Sequence, residues 1–373
     1  MFVNDFIYYI KKHYRCKYLT RGGYGLILLC EAKTIFNLHP FPNQFIIKII
    51  PFEKIKGKIY ESIEDLPESF IDKNDCIFRY LSTKCKNRPE NIEVDITKFL
   101  NKLLNHTPHI IKYISSYTCL NKLLIDLTPS FDVFNKIQFP IYNHSNLLII
   151  PFYKYLSLTE YISKYYKDIK KEEWICILFQ IIYTLSVIQY HYPSFRHNDL
   201  SSNNVFVDYT YDKKNKKQYI CYKFKNKKFY LKNNGVKIYI GDFDFANINE
   251  LYNNSKTSCG FQNIGISEDS NSMFDFHLFI NYLYYNLLVK TKYNSIHRLD
   301  YVDDNIINFI IKLIPSGYYG QKNSYVNFFR MTNKDKYPYK NITELLDDNL
   351  FNQLKIPQKS IIKTYYHKID IKI

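Results

Sequence analysis

Two rhythms of apolar and polar residues alternate along the first part of the chain. Phe2 to Tyr14 has helical spacing, whereas Tyr18 to Glu31 follows a strand, turn, strand pattern. Gln44-Phe45-Ile46-Ile47-Lys48-Ile49-Ile50 is an apolar run broken by one lysine, which predicts a central strand carrying a single cation. Ile96, Phe99, Leu100, Leu103 and Leu104 form a stripe at helical spacing with Glu93 at the start of its flank; Thr107-Pro108-His109-Ile110-Ile111 then ends that helix and enters a strand. Between these elements, residues 53 to 91 are polar and charge-mixed, with a short helix expected around Ile71 to Ser82. Further on, Asn146 to Ile150 is a strand stopped by Pro151, and Leu156 to Tyr166 and Glu172 to Tyr190 are helices, the second apolar enough to be buried. Tyr219 to Phe224 and Phe229 to Leu231 alternate with period two and predict a hairpin.

Composition narrows the class. A chain of 373 residues with 46% hydrophobic content supports a large core and two lobes or domains rather than one. Eight cysteines show no C-x-x-C pair and no regular spacing, so buried free thiols are expected, with neither a zinc site nor a disulfide framework. The first residues lack a leader pattern and no run of eighteen apolar residues occurs, so the expectation is a cytoplasmic protein without a membrane span. The net charge of +16 invites an acidic partner, but no nucleic-acid recognition motif accompanies it, and no specific nucleic-acid binding is expected. Much of the charge falls in an insertion, 209-234, whose lysines at 213, 214, 216, 217, 223, 225, 227 and 228 alternate with aromatics. A solvated hairpin without a partner is the plain reading of that stretch; docking of an acidic protein substrate is the functional one.

Four features in chain order carry chemistry. Arg21-Gly22-Gly23-Tyr24-Gly25-Leu26-Ile27 is a turn whose small residues let backbone amides approach a polyphosphate, although a glycine hairpin alone is more often only a tight turn. Lys48 needs an anionic partner if its strand is buried, and either Glu93 or Asp95 on the following helix can supply it; an edge-strand lysine facing water is the plain alternative. His197-Asn198-Asp199-Leu200-Ser201-Ser202-Asn203-Asn204 has the form H-x-D-L-x-x-x-N, and Ile240-Gly241-Asp242-Phe243-Asp244 has the form D-F-x.

Together these features resemble the protein-kinase-like superfamily, and within it the serine/threonine protein kinases of large cytoplasmic DNA viruses. The resemblance covers roughly residues 15 to 352, including Asn271 to Phe279 as the start of a long helix whose Asp275 braces the catalytic loop, and a tail Glu344 to Phe351. It implies an α+β fold with a β-rich N-lobe, residues 1-152, and a mainly helical C-lobe, residues 153-373. It also implies ATP and Mg2+ as cofactors. Gly22, Gly23, Gly25 and Ile27 would cover the nucleotide, Lys48 would pair with phosphate and with Glu93, and Ile150 to Tyr153, including Phe152, would form the hinge beside the adenine. Asp199 would act as base towards an attacking hydroxyl, with Asn204 and Asp242 holding the metal. A host cytoplasm, or a particle, is the location that the viral resemblance implies.

The departures from the pattern shape the expectation. Thr20 stands where the first glycine belongs, Asn198 replaces the arginine that reads a phosphate on the activation segment, Ser201 replaces a phosphate-steadying lysine, and Asp244 replaces the glycine of D-F-G. No A-P-E triplet lies between Asp242 and Asp275. Asn198 suggests an enzyme that does not need activation-segment phosphorylation. H-N-D-L with D-F-D is also similar to choline and aminoglycoside kinases, so a small-molecule acceptor stays open, as does a pseudokinase that only binds.

Overall fold

The computed structural model describes residues 2–21, 25–34, 40–53, 57–71, 77–125, 127, 141–152, 155–209, 218–258, 265–288, 297–314, 339–359 and 361–366. The chain separates into two compact units. One holds Met1–Phe99, Lys112–Tyr153 and Tyr252–Gly260; the other holds Leu100–Ile111, Lys154–Leu251 and Phe261–Ile373. The first is β-rich and the second mainly helical, giving the α+β, kinase-like fold that the motifs imply.

In the first unit, helix α1 (Val3–His13) precedes strands β1 (Tyr14–Arg21), β2 (Leu26–Ala32) and β3 (Gln44–Glu53). Helix α2 (Pro89–Leu100), strand β4 (Ser115–Leu120) and strand β5 (Ile141–Pro151) complete it. The sheet order is β1-β2-β3-β5-β4, with every neighbouring pair antiparallel. Period-two alternation sorts β3 cleanly. Phe45, Ile47 and Ile49 enter a core with Phe6, Ile7 and Ile10 of α1 and with Leu147 and Ile149 of β5. Ile50, of the opposite parity, packs with Val94 of α2 and Leu148. Lys48 shares that parity, so its strand is covered on both faces and the edge-strand alternative does not apply.

Several expectations shift here. The strand predicted directly after Pro108 reduces to a single bridge, Ile110 to Ile240, and the ladder strand begins only at Ser115. Proline 108 cannot donate to a ladder, and the following backbone is instead spent on Ile240. Of the helix expected around Ile71 to Ser82, the described residues hold one turn at Glu68–Ile71 and a 3-10 turn at Ile77–Tyr80, and residues 72–76 lie outside the described ones. The free-thiol expectation holds for Cys85, Cys119, Cys176 and Cys221 but fails for Cys16 and Cys30, which form a disulfide. These two face each other in the β1–β2 register, a proximity that spacing along the chain does not reveal.

The second unit is built round helix α4 (Lys171–His191), reached from strand β6 (Tyr155–Ser157) and helix α3 (Leu158–Tyr165). The predicted start of α3 at Leu156 moves to Leu158 because Ser157 caps it: its hydroxyl accepts the Glu160 N–H, and the Glu160 carboxylate accepts the Ser157 N–H. Although α4 is long and apolar enough to cross a membrane, it is apolar all round because it is the core of this unit. Strands β7 (Val205–Asp208), β8 (Tyr219–Phe224), β9 (Lys227–Lys232) and β10 (Lys237–Ile240) follow, then helices α5 (Phe274–Leu288) and α6 (Asp304–Leu313) and strand β11 (Ile361–Tyr366).

The hairpin β8–β9 is not a bare solvated appendage. Its Tyr222 and Phe229 pack against Phe179 of α4 at ring separations of 5.4 and 5.1 Å, β11 adds to it in parallel, and Lys227 pairs with Asp347. Tyr222, Phe224 and Phe229 turn inward while Lys225 in the turn and Lys227, Lys228 and Lys232 of β9 stay exposed. Lysines 213 to 217 of the insertion lie outside the described residues.

His109 bridges this hairpin to β10. A carbonyl can only accept, so Nδ1 donates to Ile238 O at 3.0 Å and Nε2 accepts from the Tyr222 hydroxyl at 2.9 Å. Burial, reinforced by the Lys237 charge, holds the imidazole well below its ordinary range. The unfolded chain therefore takes up a proton that the folded one refuses, and stability is lost as pH falls through the ordinary imidazole range. Burial shifts His191 in the same direction. We expect the melting temperature to drop between about pH 7 and pH 5.5, and His109→Gln to flatten that drop, as scanning calorimetry would record.

Candidate functional site

Each unit gathers a separate group of the residues singled out by sequence. In the first, β-sheet register does the gathering. Ile27 of β2 lies directly opposite Lys48 of β3, which lies opposite Leu148 of β5; one step along the same face, Ile46 faces Ile150. Residues directly opposite each other in an antiparallel ladder point to the same side, so Ile27, Lys48 and Ile150 share one face. Lys48 Nζ forms an ion pair with Glu93 of α2, whose carboxylate is only 2% exposed. Asp95, the other acidic candidate, is half-buried elsewhere on α2; burial raises its carboxyl while Lys98 and Lys86 pull it down. Phe152 does not join the row, lining instead a concavity with Arg15, Glu31 and Gln44.

Gly22 and Gly23 lie outside the described residues, but Gly25 shows why a glycine is required at the end of the turn. A Cβ there would sit 2.4 Å from the Ile49 carbonyl oxygen on the neighbouring strand. Gly25→Ala is expected to push β2 from β3 beside Lys48 and cost about 1–3 kcal/mol, which a melting curve checks.

In the second unit the gathering device is the β7–β10 ladder. Its last pair is Ile240 with Val205, so the residues just beyond the ladder, Gly241 and Asn204, are neighbours, and Gly241 N donates to Asn204 O at 3.2 Å. Asp242 follows at once with φ 66°, a left-handed conformation that aspartate tolerates better than most residues. At Gly241 a Cβ would meet Ile111 Cδ1 at 2.2 Å, which accounts for the glycine before the aspartate. Asn204 Nδ2 donates to Asp199 O at 2.7 Å and to Asp199 Oδ2 at 3.0 Å, drawing the third member in.

The loop between them is fixed from below. Asp275, fully buried in the first turn of α5, accepts the His197 N–H at 2.7 Å and the Asn198 N–H at 2.9 Å, one on each carboxylate oxygen. His197 Nε2 donates to Gly241 O at 3.0 Å and its ring lies 5.2 Å from that of Phe243, joining the two motifs. Asn198, with φ 62°, bonds Phe245 O at 3.0 Å through its side chain and accepts from Ser267 N at 3.3 Å. Its amide thus holds backbone on both sides of the loop, where an arginine would instead present a cation. Sequence reasoning missed Arg196. That buried guanidinium donates to Asp269 O at 3.1 Å and Gly265 O at 2.9 Å and lies 3.7 Å from the Phe274 ring centroid. It also missed Asn286, whose Nδ2 reaches Thr159 Oγ1 at 3.2 Å and the Ser202 hydroxyl, steadying the loop at its middle.

An acid–amide pair, a left-handed aspartate and a brace in this chain order match the kinase-like pattern, and the comparisons agree. The chain is 28% identical over 253 residues to a protein of Acanthamoeba polyphaga mimivirus named as an inferred serine/threonine-protein kinase, covering 63% of this chain and 53% of that protein. The chain is a relative of viral kinase-like proteins. A second mimivirus protein, also named as an inferred serine/threonine-protein kinase, is 29% identical over 294 residues, covering 65% of this chain and 73% of its own length. The kinase-like chain therefore spans about half the length of the first of these relatives. No family model matches it.

Within this kinase-like frame the donor set suits a hard cation. Asp242 offers carboxylate oxygen, and because the Asn204 amide nitrogen is committed to Asp199, its carbonyl oxygen is the end left to face an ion. Among the described residues no group of three or more His, Cys, Asp and Glu side chains could hold a metal. Two oxygen donors suit magnesium, which commonly takes the rest of its shell from water and substrate phosphates.

Proposed function

We propose that this chain transfers the terminal phosphate of ATP to serine and threonine hydroxyls of proteins. The observation that carries the reading is the convergence of Asp199, Asn204 and Asp242 at the end of the β7–β10 ladder. Asn204 and Asp242 would hold magnesium, which when bound neutralises charge on the nucleotide phosphates. The Lys48 ammonium, oriented by Glu93, would bind phosphate oxygens, while Ile27 and Ile150 offer apolar surface to a base. Asp199 would orient the acceptor hydroxyl and take its proton, and the Asn204 amide would keep the carboxylate aimed.

Two further points support a protein acceptor in this reading. The exposed lysines of β9 and of the turn before it suit an acidic polypeptide, and the relatives' names specify serine/threonine protein kinases. We place the activity in a host cytoplasm or particle. Incubation with labelled ATP and magnesium tests the acceptor class, using acidic casein-like proteins, basic proteins, choline and an aminoglycoside side by side. Label on seryl and threonyl residues is expected. Label on the small molecules alone would overturn the protein-kinase reading, and no transfer to any acceptor would leave a binding module.

A further inference from the structure

Residues 252 to 258, downstream of the Asp242 loop, belong to the first unit, where they lie against the polar stretch before α2. Ser255 N donates to Asn87 O at 2.9 Å. Lys256 is 1% exposed, with Nζ 5.5 Å from the Phe78 ring centroid. Tyr252 meets Phe99, on the last turn of α2, at a ring separation of 5.0 Å and an angle of 63°. Asn254, Ser255 and Thr257 are fully buried, and the Thr257 hydroxyl donates to Asn254 O at 2.7 Å.

The surface that receives this segment is itself built on a buried charge network. Arg88, with no exposure, donates to Phe78 O at 2.7 Å, Leu81 O at 2.6 Å and Glu53 O at 2.6 Å, and forks onto the Glu90 carboxylate at 2.7 and 3.0 Å. Arg79 Nε donates to Glu53 Oε2 at 3.0 Å. Burial raises the Glu53 carboxyl, and Arg79 and Lys256 oppose that rise, so the Lys256 charge is part of the same network. Glu90 lies one turn before Glu93 on α2, and its carbonyl accepts from Asn146 Nδ2 of β5 at 3.0 Å. The network therefore links β3 just beyond Lys48, the start of α2 and the segment around Lys256.

We propose that residues 77–91 are a built-in clamp on segment 252–258, with Lys256 as a positioning residue that acts through α2 to keep Glu93 against Lys48. The clamp rests on the kinase reading for its effect on rate, but not for its effect on structure. A phosphate on Ser255 or Thr257 has no place in this packing, since both side chains are buried. Order in the segment comes from an ion network within the chain instead.

The test uses the full chain as wild type, Lys256→Met and Lys256→Arg, with hydrogen exchange and phosphate-transfer rates measured on each. Lys256→Met is expected to speed amide exchange in 89–100 and 252–258 by about tenfold or more, to leave β3 amides unchanged, and to lower kcat by a similar factor; Lys256→Arg recovers most of both. Wild-type protein whose mass shows no phosphate in 252–258 is expected to retain its rate after phosphatase treatment. Unchanged exchange in 89–100 in Lys256→Met, or a phosphate in 252–258 that the rate depends on, overturns the clamp. A wild type that transfers no phosphate refutes the kinase reading separately, because the exchange result does not depend on activity.

Discussion

Asp242→Asn is expected to lower phosphate transfer by about three orders of magnitude while leaving the melting temperature nearly unchanged. In the proposed reading Asp242 is a metal carboxylate, and its loss would remove charge stabilisation that is needed most as the phosphoryl group moves. Asparagine is the informative replacement because Asp242 sits at φ 66°, where asparagine is tolerated and alanine adds about 1 kcal/mol of backbone strain. Asp242→Ala should thus show the same loss of transfer with a small drop in stability. The companion change Asp199→Asn removes the proposed proton acceptor and keeps a side chain of the same shape beside Asn204, so a loss of about 10²–10⁴ in kcat with little change in fold is expected. Steady-state transfer and calorimetry on the two variants separate chemistry from folding; full activity in either contradicts the assigned role.

Lys48→Met carries the second large effect, and it falls on stability as well as turnover. Glu93 is 2% exposed, so removing its cation strands a carboxylate in the interior, at a cost of about 3–5 kcal/mol when the carboxylate stays ionised. The sign with pH follows from the escape available to it. A stranded buried carboxyl has a folded pKa above its unfolded one, so the folded variant binds the extra proton and gains stability as pH falls. The deficit is therefore greatest near and above neutral pH and shrinks on acidification. Adding Glu93→Gln to Lys48→Met should recover most of the stability at pH 8 and none of the transfer. Denaturation at pH 5.5 and 8 checks this; a deficit independent of pH and of Glu93 would contradict the pair.

How much was legible in the sequence depended on whether one local rule governed the element. The apolar run from Gln44 to Ile50, broken only by Lys48, identified both the strand and its single cation, because a short continuous apolar stretch reads as a buried strand without help from elsewhere. The resemblance of the Asp199–Asn204 and Asp242 motifs to those of kinases suggested convergence; the neighbouring of their loops, at the Ile240–Val205 end of a ladder, is a register that only pairing reveals. Glu93 and Asp95 could not be separated by composition, since both flank one apolar stripe, and tertiary packing put Glu93 opposite Lys48. Nonlocal events were the blind spot. The Cys16–Cys30 pairing, the parallel addition of β11 to β8 and the burial of the 252–258 segment against residues 77–91 each join stretches whose own patterns carry no sign of the partner. Arg196 escaped notice because it precedes the motif, and the carbonyls that its guanidinium meets, Asp269 O and Gly265 O, lie far along the chain.

The measurement that bears most directly on the central claim is transfer of labelled γ-phosphate to a serine- and threonine-bearing protein as magnesium is titrated, for wild type, Lys48→Met, Asp199→Asn and Asp242→Asn together. Magnesium-dependent transfer by the wild type, with all three variants reduced at least about a hundredfold, is the predicted result. Transfer that survives unchanged in the three variants, or that proceeds without magnesium, would contradict it.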